Sequence, residues 1–479
     1  MKRAIQVILL IIVIIVPMGL SACGLFGEKT IDEYETIDVY TAEDISANMG
    51  KEVNLNLKAD IDFKNQSIGA IVCGRFEGNG HTLSNLIGGE VFYASIIQNV
   101  VIDNVTMRAG AYGNENVGIV ASEADQCSNI TVKNSTINVD MTEVGILRVG
   151  GIVGQCGSIN NCRVENLSID INGYSSDKDF IYDDIFVGGI VGLGLSDGSG
   201  IRNCSAINSS INVKGNYIYC STYAGGIAGY LSPGMTVSKC YASGNTIKSY
   251  NGWYSYMTGV DDYSGADAHM GGIFGGTDYP GPGDFVDDIE AVNVYYCYAE
   301  NNNIDGYTME SVCIGGIGGY GRACISSSYA VNNQMTARRG IPSKYEGERY
   351  IGGIIGGNYD GGISGCYTAN NSAKAVCKEA GPKENSPMVT DAKAGFGNLI
   401  CASTKNTAAF RSGVFNNKFN DNIVNNVGVA QAKAIECFTT GDGGISESDW
   451  YNKSVISEKL WLYGDMWVFE SNKLPSLAL

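Results

Sequence analysis

Residues Val149–Ile169 read VGGIVGQCGSINNCRVENLSI, and much of the chain repeats that reading. A Gly-Gly-apolar-x-Gly run returns from Val187, Ala224, Met270, Ile314 and Ile351. The first glycines, Gly150, Gly188, Gly225, Gly271, Gly315 and Gly352, lie 38, 37, 46, 44 and 37 residues apart. A period of roughly 20–50 residues marks a solenoid, whose units cannot bury an apolar face alone and therefore stack.

Aligning the units on Cys162 exposes their columns. One reads Val100, Ile130, Cys162, Cys204, Cys240, Cys297, Ser328, Cys366. Four residues on stand Asn104, Asn134, Asn166, Asn208, Gly244, Asn301, Asn332 and Asn370. Three further on stand Met107, Ile137, Ile169, Ile211, Ile247, Ile304, Met335 and Ala373. Two degenerate units therefore precede the six with clear glycine runs. Within a unit, Ile159–Cys162 and Leu167–Ile169 alternate apolar with polar residues, as short strands do.

These patterns predict an all-β fold, a right-handed parallel β-helix of about eight rungs with a lead-in and a C-terminal cap. About three short strands per rung fit the unit length, and eight rungs at roughly 4.8 Å make a rod about 40 Å long. Asn accepts the left-handed backbone of a sharp corner. Stacked at one corner, the amides of Asn104, Asn134, Asn166, Asn208, Asn301, Asn332 and Asn370 are expected to bond up the stack. Gly244 supplies the same backbone without a side chain.

The chain has 479 residues, 64 Gly, 15 Cys and a formal charge of −18. Lys2 and Arg3 precede an apolar run, Ile8–Val16, and then Leu20-Ser21-Ala22-Cys23. That order is a secretory leader. Its ending resembles the bacterial lipobox, which implies cleavage before Cys23 and acylation there; an uncleaved membrane helix is the rival. Two or more acyl chains hold a protein on a membrane where one does not. The expected division is 1–22 signal peptide, 23–41 lipid-anchored tether, 42–373 repeats and 374–479 terminal rung and cap. The expected address is the extracytoplasmic face of the cell membrane. Without Lys2 and Arg3 the balance is 30 basic against 50 acidic residues, or −20. A surface this acidic repels nucleic acid.

VNLNLKADIDF (Val53–Phe63) alternates as a strand should, and FEGNGHTLSNL (Phe76–Leu86) carries an Asn-Gly turn. With the glycine repeats and a terminal W-x-F…L-P-x-L (Trp467–Leu477), these stretches resemble the GLUG-motif family, repeats of bacterial surface proteins also found beside immunoglobulin A1 protease domains. The resemblance covers about Ala42 to Ser372. It implies a shared scaffold rather than a shared chemistry, and a final rung and cap ending at Trp467–Leu477. Short helices are expected within Lys418–Ala434 and Ser446–Leu462.

Motifs for chemistry are sparse. A zinc protease needs H-E-x-x-H, and the two histidines, His81 and His269, lack such partners. Gly194–Gly198 matches G-x-S-x-G but sits between strands, where it reads as a turn. Gly316-x-Gly318-x-x-Gly321 lacks the βαβ context of a nucleotide site. Five cysteines fall in the inward column and are expected to be free thiols. Cys313 with Cys324, or Cys220 with a neighbour, are the candidates for a disulfide.

The insertions between a unit's last strand and the next glycine run hold the candidate recognition residues. These are Tyr174, Phe180, Tyr182, Tyr217, Tyr219, Tyr223, Tyr250, Trp253, Tyr254, Tyr256 and Tyr263, with Asp177, Asp179, Asp183, Asp184, Asp261 and Asp262 among them. Asp287-Asp288 lies in a different insertion. Tyr and Trp offer rigid area with a hydrogen-bonding tip, suited to sugar faces; plain flank packing is the alternative. No cofactor is expected. Calcium at Asp183-Asp184 or Asp261-Asp262 is chemically allowed, but no D-x-D-x-D-G loop supports it. The expected function is binding of a glycan, a host or surface protein, or another envelope component. A carbohydrate-active enzyme, lyase or hydrolase, and a passive spacer are the alternatives.

Overall fold

The computed structural model describes residues 30–67, 69–111, 115–141, 145–173, 183–215, 220–251, 267–277, 290–308, 311–339, 349–359, 361–376, 394–397, 400–403, 408–410, 412–415, 418–420, 433–434, 437–439, 445–462 and 464–479. One full coil runs through five short strands: Asp183–Gly188, Val191–Gly194, Gly200–Arg202, Ser205–Ile207 and Ser210–Gly215. Five replace the expected three because two left-handed corners, Asn203 and Asn208, cut the chain (φ 53° and 50°). Each strand pairs in parallel with its counterparts one coil away: Ser168 with Ser210, and Ser210 with Thr246. The strands that lead into the glycine runs form an eight-stranded parallel sheet, from Glu115–Gly118 to Ala394–Gly397. The fold is therefore nearly all β and solenoidal.

The glycines follow from contact. A Cβ on Gly188 would lie 2.0 Å from the carbonyl oxygen of Val191, and one on Gly189 would lie 2.1 Å from that of Gly226 in the next coil. The first glycine lets the chain reverse; the second lets the next coil seat. A Cβ on Gly192 would lie 2.5 Å from the amide nitrogen of Val149, so two sheets touch backbone to backbone there. Close packing leaves no room for a methyl group at such points.

The interior is columnar. Cys162, Cys204, Cys240, Cys297 and Cys366 are all buried and free. Each thiol donates to the carbonyl two residues back, as Cys204 does to Arg202 (3.1 Å) and Cys240 to Ser238 (3.2 Å). Ser328 does the same to Ser326 (2.8 Å), which explains why Ser replaces Cys in this column. Burial pushes the Cys366 thiol up to about 12. The proposed Cys313–Cys324 disulfide does not form. Cys313 is buried in the glycine-side sheet and Cys324 is exposed on another strand, each with a reduced thiol.

The corner asparagines take the expected backbone: φ lies between 50° and 56° at Asn104, Asn134, Asn166, Asn208, Asn301, Asn332 and Asn370. Their amides bond along the stack at the N-terminal end, Asn166 to Asn134 (3.1 Å) and Asn104 to Asn85 (2.6 Å), while Asn134 bonds Asp103 (2.9 Å). The longer ladder runs one residue later and is buried. Asn245, Asn302, Asn333 and Asn371 each accept, through Oδ1, the backbone N–H of the residue one coil earlier at 2.8–3.0 Å. Each Nδ2 donates to a carbonyl on the earlier coil, of Ala206, Ala242, Ala299 and Ala330.

Both ends differ from expectation. Glu35–Val39, placed in the tether, pairs in parallel with Val53–Leu57 and belongs to the first coil. Past residue 373, in the segment expected to hold a terminal rung, coil pairing continues through Ala394–Gly397 and Lys418–Asn420. Lys418–Asn420 and Lys433–Ala434 are strands, so no helix spans Lys418–Ala434; residues 421–432 lie outside the described residues. A helix does occupy Lys453–Leu460, capped at Asn452, whose Oδ1 accepts Ser454 N–H at 3.2 Å.

Trp467–Val468 and Ser476–Leu477 are an antiparallel pair rather than a rung, and they cover the flank. Tyr241, Tyr298, Tyr329 and Tyr367 stack at 4.8, 4.9 and 5.2 Å, close to the spacing of neighbouring strands. That leaves an apolar strip of rings along the side. Trp450, Leu460, Trp467 and Leu477 bury its far end, and the Tyr367 hydroxyl donates to the Pro475 carbonyl.

Among the described residues no helix is long and apolar enough to cross a membrane. The expected leader and Cys23 lie outside the described residues.

Candidate ligand-binding groove

Three residues past the Ile211–Ile247–Ile304 column, the strands present a row facing outward. Register aligns Lys214 with Tyr250, Tyr250 with Tyr307, and Tyr307 with Arg338. The Tyr250 and Tyr307 rings stack at 4.4 Å and 10°. Tyr250 is 48% exposed, the most exposed aromatic after Tyr40 among the described residues. Its other side faces the coil of Lys214 and Gly215. Gly215 and Gly173 have no side chains, which opens a groove of about 420 Å³ beside the ring.

Polar groups rim this groove: Asn212, Lys214, Lys248, Asp305 and Arg338. Arg338 Nε and Nη2 donate to the two carboxylate oxygens of Asp305, each at 2.8 Å. Asn212 Nδ2 donates to Asp170 at 3.1 Å. The result is an aromatic edge beside a shallow, polar-rimmed hollow.

Most of the sequence candidates lie outside the described residues: Tyr174, Phe180, Tyr182, Tyr217, Tyr219, Trp253, Tyr254, Tyr256, Tyr263, Asp261 and Asp262. So does Asp287-Asp288. The segments 216–219 and 252–266 continue directly from Gly215 and Asn251, the last residues of the groove-bearing strands. Asp183 and Asp184 occupy the strand leading into Gly188, aligned with Cys220 and Ser221. Gly194–Gly198 forms a turn between strands, with no helix after it. Among the described residues no three His, Cys, Asp or Glu side chains gather at a point that suits a metal ion.

Tyr223 is part of a packed aromatic cluster. It lies 5.3 Å from Phe186, 5.2 Å from Tyr230 and 4.9 Å from His269, which stacks on Tyr320 at 4.5 Å. His269 is buried, with Asp267 Oδ2 at 4.0 Å from its Nε2. Burial pulls the imidazole from 6.5 down to about 3. Unfolded chain therefore binds a proton that the folded chain refuses between those values. Stability is expected to fall as pH drops from about 6.5 towards 3, by on the order of 3 kcal/mol. Urea midpoints at pH 7 and pH 4 should show His269→Phe losing much less stability than the parent; equal losses would remove the histidine from the account.

Sequence reading named Tyr250 but missed Tyr307, Lys214, Lys248, Asp305 and Arg338. The signal was present, since counting one residue past the aliphatic column reaches Lys248 and Asp305, and counting three reaches Lys214, Tyr307 and Arg338.

No protein-family model matches the chain, and no curated protein sequence does. Among solved structures it is similar to an IgA1 protease, with 12% identity and a TM-score of 0.29, over 94% of this chain and 25% of that one. The chain thus spans about a quarter of that protein's length. It is also similar to a Bacteroides ovatus protein named for immunoglobulin A1 proteases, with 14% identity and a TM-score of 0.24, over 96% and 97% of the two chains. A third is the catalytic domain of a GH87 α-1,3-glucanase, with 11% identity and a TM-score of 0.21, over 86% and 62%.

Proposed function

We propose that this chain is a lipid-anchored, extracytoplasmic protein, a right-handed β-helix of about eight rungs, that binds a glycan in the groove beside Tyr250. The observation that carries this reading is the exposed Tyr250 ring, held rigid by Tyr307 and bordered by an open hollow with polar groups on its rim. Ligand sites of this kind pair an apolar surface with a few placed polar groups. A tyrosine already stacked on its neighbour loses little freedom on binding.

Binding is favoured over cleavage by the carboxylate count. Glycosidic hydrolysis uses two carboxyl groups roughly 5–10 Å apart. Among the described residues the groove lining offers one, Asp305, and Arg338 engages both of its oxygens. The anchor at Cys23 rests on the sequence alone; the intact mass of the membrane-extracted protein tests it, and an unmodified thiol there would refute it.

The groove is tested with a glycan array and calorimetry on the full lipoprotein in detergent. Tyr250→Ala is expected to weaken the array's best ligand at least tenfold, about 1.4 kcal/mol, with no new reducing ends or unsaturated products from the parent. Undiminished binding by Tyr250→Ala and Tyr307→Ala would remove the groove. Product formation would favour the enzyme.

A further inference from the structure

The groove beside Tyr250 differs in charge from the chain that carries it. The protein has a formal charge of −18. Among the described residues the groove lining has three cations, Lys214, Lys248 and Arg338, against one carboxylate, Asp305. Arg338 already engages Asp305 through both oxygens. On the row that carries Lys248, Asp305 is its direct neighbour in register, and Asp170 lies two coils away on the other side and accepts from Asn212 and Ser168. Lys214 and Lys248 are both exposed, and among the described residues neither has an ion-pair partner. With both Asp305 oxygens taken by Arg338, two ammonium groups stand without an ion pair among the described residues, one on the Tyr250 row and one on the row beside it.

An acidic chain repels anions at a distance, so a local pair of free cations next to an aromatic edge confers selectivity at contact range. Resting on the glycan-binding reading, we infer that the groove selects acidic oligosaccharides. A sugar ring packs against Tyr250 while its carboxylate or sulfate meets Lys214 and Lys248. Ammonium groups on flexible stems suit either anion, because they act as point charges without the fixed fork of a guanidinium.

The test uses matched pairs of probes on the full lipoprotein in detergent. Oligogalacturonate is set against its methyl ester, and a carrageenan-derived sulfated galactan oligosaccharide against its desulfated form, by calorimetry at low and high salt. At least one acid is expected to bind ten times more tightly than its neutral counterpart. Added salt should erode that margin. Lys214→Gln with Lys248→Gln should bring acid and neutral forms within about twofold, at an unchanged melting temperature. Which pair shows the margin distinguishes carboxylate from sulfate.

Equal affinity for acid and neutral forms, still lost in Tyr250→Ala, would overturn the selectivity and leave glycan binding standing. An acid preference that survives both lysine changes would overturn the assignment to this groove. No binding by any probe would overturn the acidic preference, and an empty glycan array as well would take the glycan reading with it.

Discussion

Gly226→Ala is expected to destabilise the solenoid by about 3 kcal/mol or more, at the upper end of what overpacking costs. A Cβ there would lie 2.2 Å from the carbonyl oxygen of Gly272 and 2.6 Å from the Ala242 methyl. The first neighbour is backbone on the next coil, so relief requires the coils to part. In a stacked array, stability is carried by interfaces between neighbours. The damage should therefore localise, and hydrogen exchange should rise in the coils on either side of residue 226 before it rises elsewhere. Gly89→Ala is the control: nothing lies within 4 Å of its added methyl. Its urea midpoint should match the parent. If the two variants melt together, close contact does not explain the glycine run.

Asn333→Leu is expected to cost about 3–5 kcal/mol. Asn333 Oδ1 accepts the Asn302 backbone N–H and its side-chain amide, both at 3.0 Å. Its Nδ2 donates to the Ala299 carbonyl and to Asn371 Oδ1, again at 3.0 Å each. Leucine would strand several buried groups at once, each costing roughly 1–3 kcal/mol. Loss of protection at the Asn302 amide is the specific readout. Its neighbour Asn332 makes the contrast. It is exposed at a left-handed corner, φ 55°, which glycine adopts freely. Asn332→Gly should therefore change stability by less than about 1 kcal/mol.

That pair also shows how far a sequence can be read. Asn332 and Asn333 are the same residue type side by side, and the alignment singled out the first. Asparagine at a corner has a local reason, its backbone preference. Asparagine inside a coil has a non-local one, because its bonds are made to coils 31 and 38 residues away. The flank shows the same limit. The family resemblance implied a final rung and cap ending at Trp467–Leu477, where the chain instead forms an antiparallel pair. The ring stack ending at Tyr367 exists only once the coils are in register, and that strip is what the terminal segment covers.

By itself the sequence determined the repeat, the inward cysteine column, the left-handed corners and the glycine positions. These depend on period and on residue-by-residue conformational preference, which are properties of the chain alone. Only the tertiary structure decided that a buried amide ladder runs beside the visible one, and that the last segment lies along the side of the rod. It alone brought Lys214, Lys248, Tyr250, Tyr307, Asp305 and Arg338 to one groove. The reason is that coil stacking places residues some 30–60 positions apart within a few ångströms (Lys214 beside Tyr250, Tyr250 beside Tyr307), and only the registered stack turns a column in an alignment into a surface.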